Sequence, residues 1–286
     1  MELVKAYRER EVLRKSFNAL AGRTYGLDFE DWYQNGFWKE AYIPYSIVED
    51  GEIVANVSVN ITDFMWNGSK KHFIQLGTVM TDEKYRNKGY SRRLMEEVEK
   101  DYAGVDGVYL FANDSVLDFY PKFGFKKASE YGYEKEISAD RERSIQKIPM
   151  REKRVWDGFA KIVEQSVPCG RFAMTGNSGL ILFYVTKFMQ ENVYYSKKYR
   201  AYLIAEEDGN EVFIHAVFSE KHVEPSEAAI AFVGGVRKIR LGFTPEHAEG
   251  YTMTEVKEED TTLFLKGDGF QCWHMERLMF PTLAHA

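Results

Sequence analysis

The chain of 286 residues holds only two cysteines, Cys169 and Cys272, and neither lies in a CxxC pair or a histidine-rich cluster. That excludes a disulfide framework and a zinc-ribbon site, and it favours a reducing compartment. The six histidines, His72, His215, His222, His247, His274 and His285, show no HxH or HExxH spacing, so no resident metal is expected. No apolar run approaches the ~18 residues of a membrane span, and the opening MELVKAYRER has no stretch resembling a secretory leader. A soluble cytoplasmic protein is the expectation. An excess of positive charge is also missing: 38 Lys+Arg stand against 44 Asp+Glu, a formal net charge of −6. The broad positive field that nucleic acid requires is therefore absent. Walker, dinucleotide-binding and GxSxG motifs are not found either.

Aromatic residues are abundant instead, with 20 Phe, 18 Tyr and 5 Trp, enough to build a large core without staples. Over the first 35 or so residues the spacing of Val12, Phe17 and Leu20 predicts helix. Tyr45–Glu49, Asp50-Gly51 and Ile53–Thr62 predict strand, tight turn and strand; Asn67-Gly68 marks a second turn before a strand from His72 to Thr81. After Gly89, the residues Leu94, Val98 and Tyr102 predict a helix. A strand at Val108–Ala112, a short helix at Ser115–Lys122 and a strand at Tyr131–Ile137 complete the first unit. Ala139–Pro149 is charged and poor in apolar residues, which suits a linker.

The remainder predicts a helix at Arg151–Gln165 and a weaker amphipathic one at Phe188–Lys198. Strands are expected at Leu180–Thr186, Tyr199–Glu206, Val212–Phe218, Ala229–Val233, Lys238–Phe243 and Thr261–Leu265. The division is thus residues 1–138, a linker at 139–150, and a strand-rich unit at 151–286. Gly234-Gly235-Val236-Arg237 precedes a strand-like run, so it is a poor candidate for an anion-binding loop.

Chemistry concentrates between Gln75 and Ser91. A strand runs into a polar loop holding Arg86, Asn87, Lys88 and Gly89, and the loop opens a helix. The first turn of a helix leaves about four backbone amides unpaired at its positive end, an arrangement suited to phosphate. Arg86, Lys88 and Arg92 add charge around that turn.

Arg86-Asn87-Lys88-Gly89-Tyr90-Ser91 resembles the Arg/Gln-x-x-Gly-x-Gly/Ala pyrophosphate loop of the GNAT superfamily of acyl-CoA-dependent N-acyltransferases. Asn113 and Tyr120, in the run ending at Phe125, match the family's second motif, and the resemblance covers about residues 1–137. It implies an α+β fold in which a mixed, mostly antiparallel sheet is flanked by helices. The second, strand-rich half would be a degenerate GNAT-like domain. It also implies acetyl-CoA as cosubstrate and an amine as acceptor. Val79, Met80 and Thr81 would pair with the pantetheine arm, residues 86–92 would hold the diphosphate, and Asn113 would complete the cofactor site. Tyr120 would protonate the departing thiolate; a Tyr hydroxyl, with a pKa near 10, carries its proton at pH 7.

Two departures stand out. Ser91 occupies a Gly/Ala position, and the strand from Phe73 to Thr81 lacks the carboxylate that many relatives use as base. An alkylamine of pKa ~10.4 carries a handicap of about 4.6 kcal/mol at pH 7, so its proton must be removed. Gln75 could only orient water, and Asp63 and Glu83 are equally suited to being solvated charges. Trp32, Tyr33, Phe37 and Trp38 are core aromatics or the lining of an acceptor pocket. Direct acetyl transfer to a primary amine leads. A CoA-binding regulatory protein that has lost turnover, and an aminoacyl transferase of a two-domain relative, are the alternatives.

Overall fold

The computed structural model describes residues 1–137, 143–232 and 237–285. In chain order its elements begin with β1 (Glu2–Lys5), α1 (Glu11–Tyr25), α2 (Glu30–Gln34), β2 (Tyr42–Glu49), β3 (Glu52–Trp66), β4 (Ser69–Thr81), α3 (Tyr90–Asp101) and β5 (Gly107–Ala112). They continue with β6 (Lys126–Lys127), β7 (Tyr131–Glu136), β8 (Ile145–Lys147), α4 (Lys153–Gln165), β9 (Phe172–Thr175) and α5 (Ser178–Lys187). The last are β10 (Val193–Ser196), β11 (Ala201–Asp208), β12 (Glu211–Phe218), α6 (Pro225–Ala229), β13 (Lys238–Leu241), β14 (Thr252–Glu255), β15 (Thr262–Lys266) and α7 (Trp273–Glu276).

The strands form two mixed sheets. The first runs β1-β2-β3-β4-β5-β15-β6, with β9 also paired to β3; the second runs β14-β7-β13-β12-β11-β10-β8. Among the described residues only the β4–β5 and β12–β13 pairs are parallel. The β2–β3–β4 meander turns at Asp50-Gly51 and Asn67-Gly68, and all four of these residues take positive φ. That geometry matches the twist of the strands and suits Gly and Asx residues.

The two sheets exchange strands. The segment Tyr131–Ile137, expected to close the first unit, forms β7, which lies between β13 and β14 in the second sheet. Its place beside β5 is taken by β15, which arrives from near the chain's end and pairs Phe264 with Leu110. Phe264 is fully buried there, and short strands with interchangeable apolar patterns give no local signal of which sheet they join.

Other expectations are corrected too. Leu180–Thr186 is helical: α5 is capped by the Asn177 side chain and is apolar nearly all round. A helix buried on every side has the same continuous apolar run as a buried strand. Ala229 ends α6, Ile230–Phe232 is a 3-10 turn, and Val233 lies outside the described residues. Phe188–Lys198 holds a 3-10 turn and β10 in place of an amphipathic helix. Ser115–Lys122 divides into 3-10 turns at Asp114–Val116 and Tyr120–Phe123. Of the expected linker, residues 145–147 form β8 and residues 139–142 lie outside the described residues, as do residues 234–236. In α1 the buried face is Leu13, Phe17, Leu20 and Ala21, while Val12 is 74% exposed.

Opposite faces of the first sheet differ in character. Val57, Val59, Ile74 and Leu76 pack against Leu94, Met95 and Val98 of α3 in an apolar core. The other face carries Ser46, Asn56, Ser58, Asn60, Thr62 and Gln75, all fully buried between aromatic clusters.

Candidate active site

β4 and β5 pair only over Phe73–Gly107, Ile74–Val108 and Gln75–Tyr109, and then separate. A β-bulge follows on β4, where the register to β3 shifts between Asn56 and Ser58 and Thr78 takes a φ of +48°. The opening holds a cleft of about 610 Å³. Its walls are β4 from Leu76 to Thr81, Phe111–Asn113 after the strands part, Tyr25 and Leu27 from the end of α1, and Phe119 and Tyr120.

Buried side chains brace the bulge. Asn56 Nδ2 donates to the Thr78 carbonyl and to Ser58 Oγ, each at 2.9 Å. Ser46 Oγ donates to Asn56 Oδ1 at 2.8 Å, and Tyr7 shares a 2.7 Å hydrogen bond with Ser46. Tyr42 and Thr78 join their hydroxyls at 2.9 Å. Sequence reasoning missed this network, although Asn56, Ser58, Asn60 and Thr62 alternate at period two along β3 and mark a polar face.

The turn leading into α3 has the geometry of an anion cradle. Asp82 caps it by accepting from Lys84 N at 3.1 Å, and Asp82 is itself held by Arg23 at 3.0 Å. Asn87 and Gly89 both take left-handed backbone, with φ of +63° and +78°. The first intrahelical bond of α3 runs from Arg93 N to Gly89 O at 3.0 Å. The amides of Tyr90, Ser91 and Arg92 therefore emerge from the helix end. A Cβ built on Gly89 meets nothing within 4 Å, so space for a ligand lies beside it.

Of the residues expected at the site, Val79, Met80, Thr81, Arg86, Ser91, Asn113 and Tyr120 line this one cleft. Asn87, Lys88, Gly89, Tyr90 and Arg92 do not line it; they form the turn between Arg86 and Ser91 and the start of α3. Lys88 lies over the Tyr85 ring at 4.4 Å and Arg92 over Phe123 at 5.3 Å. The Tyr90 hydroxyl donates to Glu49, so its backbone alone faces the turn's exit. Ser91 Oγ is 2.8 Å from Thr81 Oγ1, which ties the helix start to the end of β4. The Val79 carbonyl accepts from Tyr25 at 2.5 Å.

Tyr120 begins a 3-10 turn with Pro121 next, and its ring packs on Phe119, Phe125 and Phe264. Burial pushes its pKa well above the ordinary phenol value, so it is protonated at neutral pH. Among the described residues its hydroxyl has no protein partner.

Among the described residues, no carboxylate lines the cleft. Asp63 is held by Lys70 at 2.7 Å and His72 at 2.6 Å. Its pKa is lowered: burial opposes the shift, and the hydrogen bonds from His72 and Lys70 outweigh it. Glu83 pairs with Arg86 at 3.5 Å on the surface. Trp32 and Trp38 stack at 5.4 Å inside the aromatic core, Arg14 covers the Tyr33 ring, and Phe37 meets Trp156 of α4. None of these four aromatics lines the cleft. Among the described residues there is no cluster of three or more metal-ligating side chains, and no helix is long and apolar enough to cross a membrane.

The family model described as Acetyltransferase (GNAT) family matches residues 8–125. No curated protein matches the chain in sequence. Among solved structures, a "probable N-acyltransferase" from Enterococcus faecalis V583 is similar at a TM-score of 0.63 and 14% identity, over 94% of this chain and 73% of that one. Eis1 from Mycobacterium abscessus is similar at a TM-score of 0.55 and 14% identity, over 92% and 73%. A GCN5-related N-acetyltransferase from Kribbella flavida is similar at a TM-score of 0.54 and 15% identity, over 94% and 72%. At these identities the likeness is one of fold, and it extends over both sheets. Residues 8–125, which carry the parted strands, the bulge and the left-handed turn, are matched by the acetyltransferase (GNAT) family as one domain.

Proposed function

We propose that this protein transfers an acetyl group from acetyl-CoA to a primary amine by direct attack. The observation that carries the reading is one continuous cleft. It joins the edge of β4, Arg86 and Ser91 on either side of the Gly89 turn, and the partnerless Tyr120 hydroxyl. In this account the diphosphate lies at the amides of residues 89–92 with Arg86 beside it, where a helix N-terminus stabilises negative charge. The pantetheine arm follows Val79–Thr81 between the parted strands, and Asn113 borders it.

The amine lone pair attacks the thioester carbon, and the carbonyl π electrons move to oxygen. As the tetrahedral intermediate collapses, the C–S bond breaks and its electron pair leaves on sulfur. Tyr120 hydrogen-bonds that sulfur and passes it a proton. The proton lost by the acceptor nitrogen returns to the phenolate, so the amide and the free thiol leave with the books balanced. A thiol has a pKa near 8.5, so transfer from a phenol of higher pKa is uphill by itself, and it is driven by re-protonation of the phenolate from the acidic, positively charged nitrogen formed when the amine attacks.

The two sheets are proposed as two domains that meet along exchanged strands, only the first carrying a cofactor site. A strand Phe73–Thr81 without a carboxylate favours one second reading, a CoA-binding protein without turnover. Mixing the protein with acetyl-CoA and a series of primary amines, and following thiol release, separates the two. Release that depends on the amine supports transfer; tight CoA binding with no release for any amine supports the second reading.

A further inference from the structure

Asn60 is the least accounted-for polar group in the first sheet. It lies at the middle of β3, fully buried, opposite Tyr42 on β2 and Gln75 on β4. Neither Oδ1 nor Nδ2 has a hydrogen-bond partner. A buried amide normally finds one, because an unmade bond leaves the whole desolvation penalty standing. The position is telling. Gln75 and Tyr109 are the last paired residues before β4 and β5 part, and Leu76 and Gly77, next along β4, line the cleft. Adjacent strands lie about 4.8 Å apart, so Asn60 stands one strand from the point where a thioester between β4 and β5 would end.

Its surroundings are polar and uncharged. Ser58 and Thr62 flank it on the same face. Tyr109, on the far side of Gln75, gives its hydroxyl to the Ala284 carbonyl at 3.0 Å. Beyond it His285 stacks on Phe111 at 3.8 Å, and its Nε2 is likewise buried without a partner. Of the carboxylates near this face, Asp63 is bound by Lys70 and His72, and Glu130, behind Tyr109, is buried and accepts from Phe280 N.

We propose that Asn60 is a specificity residue for the acceptor, an inference that rests on the acyl-transfer reading. Its amide presents an acceptor and a donor side by side. The matching ligand is a primary amine with a hydroxyl or carbonyl on the neighbouring carbon: the N–H goes to Oδ1 and the oxygen receives Nδ2–H. Amino alcohols and α-amino carbonyl compounds fit, whereas a plain alkylamine satisfies only half of the amide.

The test uses the full chain, with ethanolamine and glycinamide set against n-butylamine as acceptors. The wild type favours the two oxygen-bearing amines in kcat/KM by about tenfold, and Asn60→Leu or Asn60→Ala removes that preference without changing acetyl-CoA affinity by calorimetry. Asn60→Leu also melts higher by about 3 °C, since it removes an orphaned amide at similar volume. A Leu variant that melts lower, or does not fold, shows that the amide has a structural partner and overturns the proposal. A preference that persists in the Ala variant overturns it too. Absence of thiol release by the wild type with every amine instead removes the acyl-transfer reading beneath it.

Discussion

Asn113 Nδ2 donates to the Asp260 carboxylate at 2.9 Å, and the other oxygen of that carboxylate accepts from Asp114 N at 2.7 Å. One side chain from the last part of the chain thereby fixes the turn that borders the cleft. Asp260 sits just before β15, so the strand exchange and this clasp are one event. The hydrogen bonds from Asp114 N and Asn113 hold the Asp260 carboxyl below its usual range. Asp260→Ala releases the turn and is expected to weaken acetyl-CoA binding by about threefold to tenfold, measured by calorimetry, with little change in kcat. An unchanged affinity would show that Asn113 keeps its place unaided.

Tyr120→Phe leaves the packing on Phe119, Phe125 and Phe264 intact and removes only the hydroxyl. Turnover is expected to fall by about 10²-fold, the lower range for a lost general acid, while CoA affinity stays within about twofold. Steady-state kinetics with calorimetry on the same preparation checks both. Equal turnover would take Tyr120 out of the mechanism.

Gly89→Val places a branched side chain where the free protein has open space, at a φ of +78°. Backbone strain in this region costs about 1–2 kcal/mol, which a lower melting temperature reports. Loss of CoA affinity by about tenfold or more is expected in addition, because the side chain occupies the diphosphate's approach. Gly89→Ala, sharing the strain with less bulk, separates the two effects.

Stability should also depend on pH through Glu130. Its carboxyl is buried and accepts from Phe280 N at 2.7 Å, and burial pushes its pKa up to about 8. The unfolded chain ionises this group near 4.5, where the folded protein still binds the proton. The unfolded state therefore binds fewer protons between those values, and stability falls as pH rises from about 4.5 to 8, then levels off. Glu130→Gln keeps the acceptor for Phe280 N and removes the slope. At pH 8 it is expected to gain on the order of a few kcal/mol. Urea unfolding at several pH values measures this; parallel pH profiles for the two proteins would contradict it.

Local chemistry was legible in the sequence where a single residue dictates the backbone. Asp50-Gly51, Asn67-Gly68 and Gly89 all sit at the positive-φ turns that their types suggest. The meander and α3 follow from periodicity. What escaped was non-local. Tyr131–Glu136 and Thr262–Lys266 carry ordinary strand patterns, and only three-dimensional packing decides that each joins the sheet of the other half. Leu180–Thr186 was ambiguous because burial on every side erases periodicity. The polar face behind the bulge was visible as alternation along β3, but its meaning depended on Tyr7, Ser46 and Thr78 converging on Asn56.

The central claim, that a CoA diphosphate sits on the amides opening α3, is tested most directly by amide hydrogen exchange with and without CoA. The account predicts slowed exchange at residues 89–92, together with Val79–Thr81, and no comparable change in the second sheet. CoA that binds tightly while those amides exchange as in the free protein would contradict it.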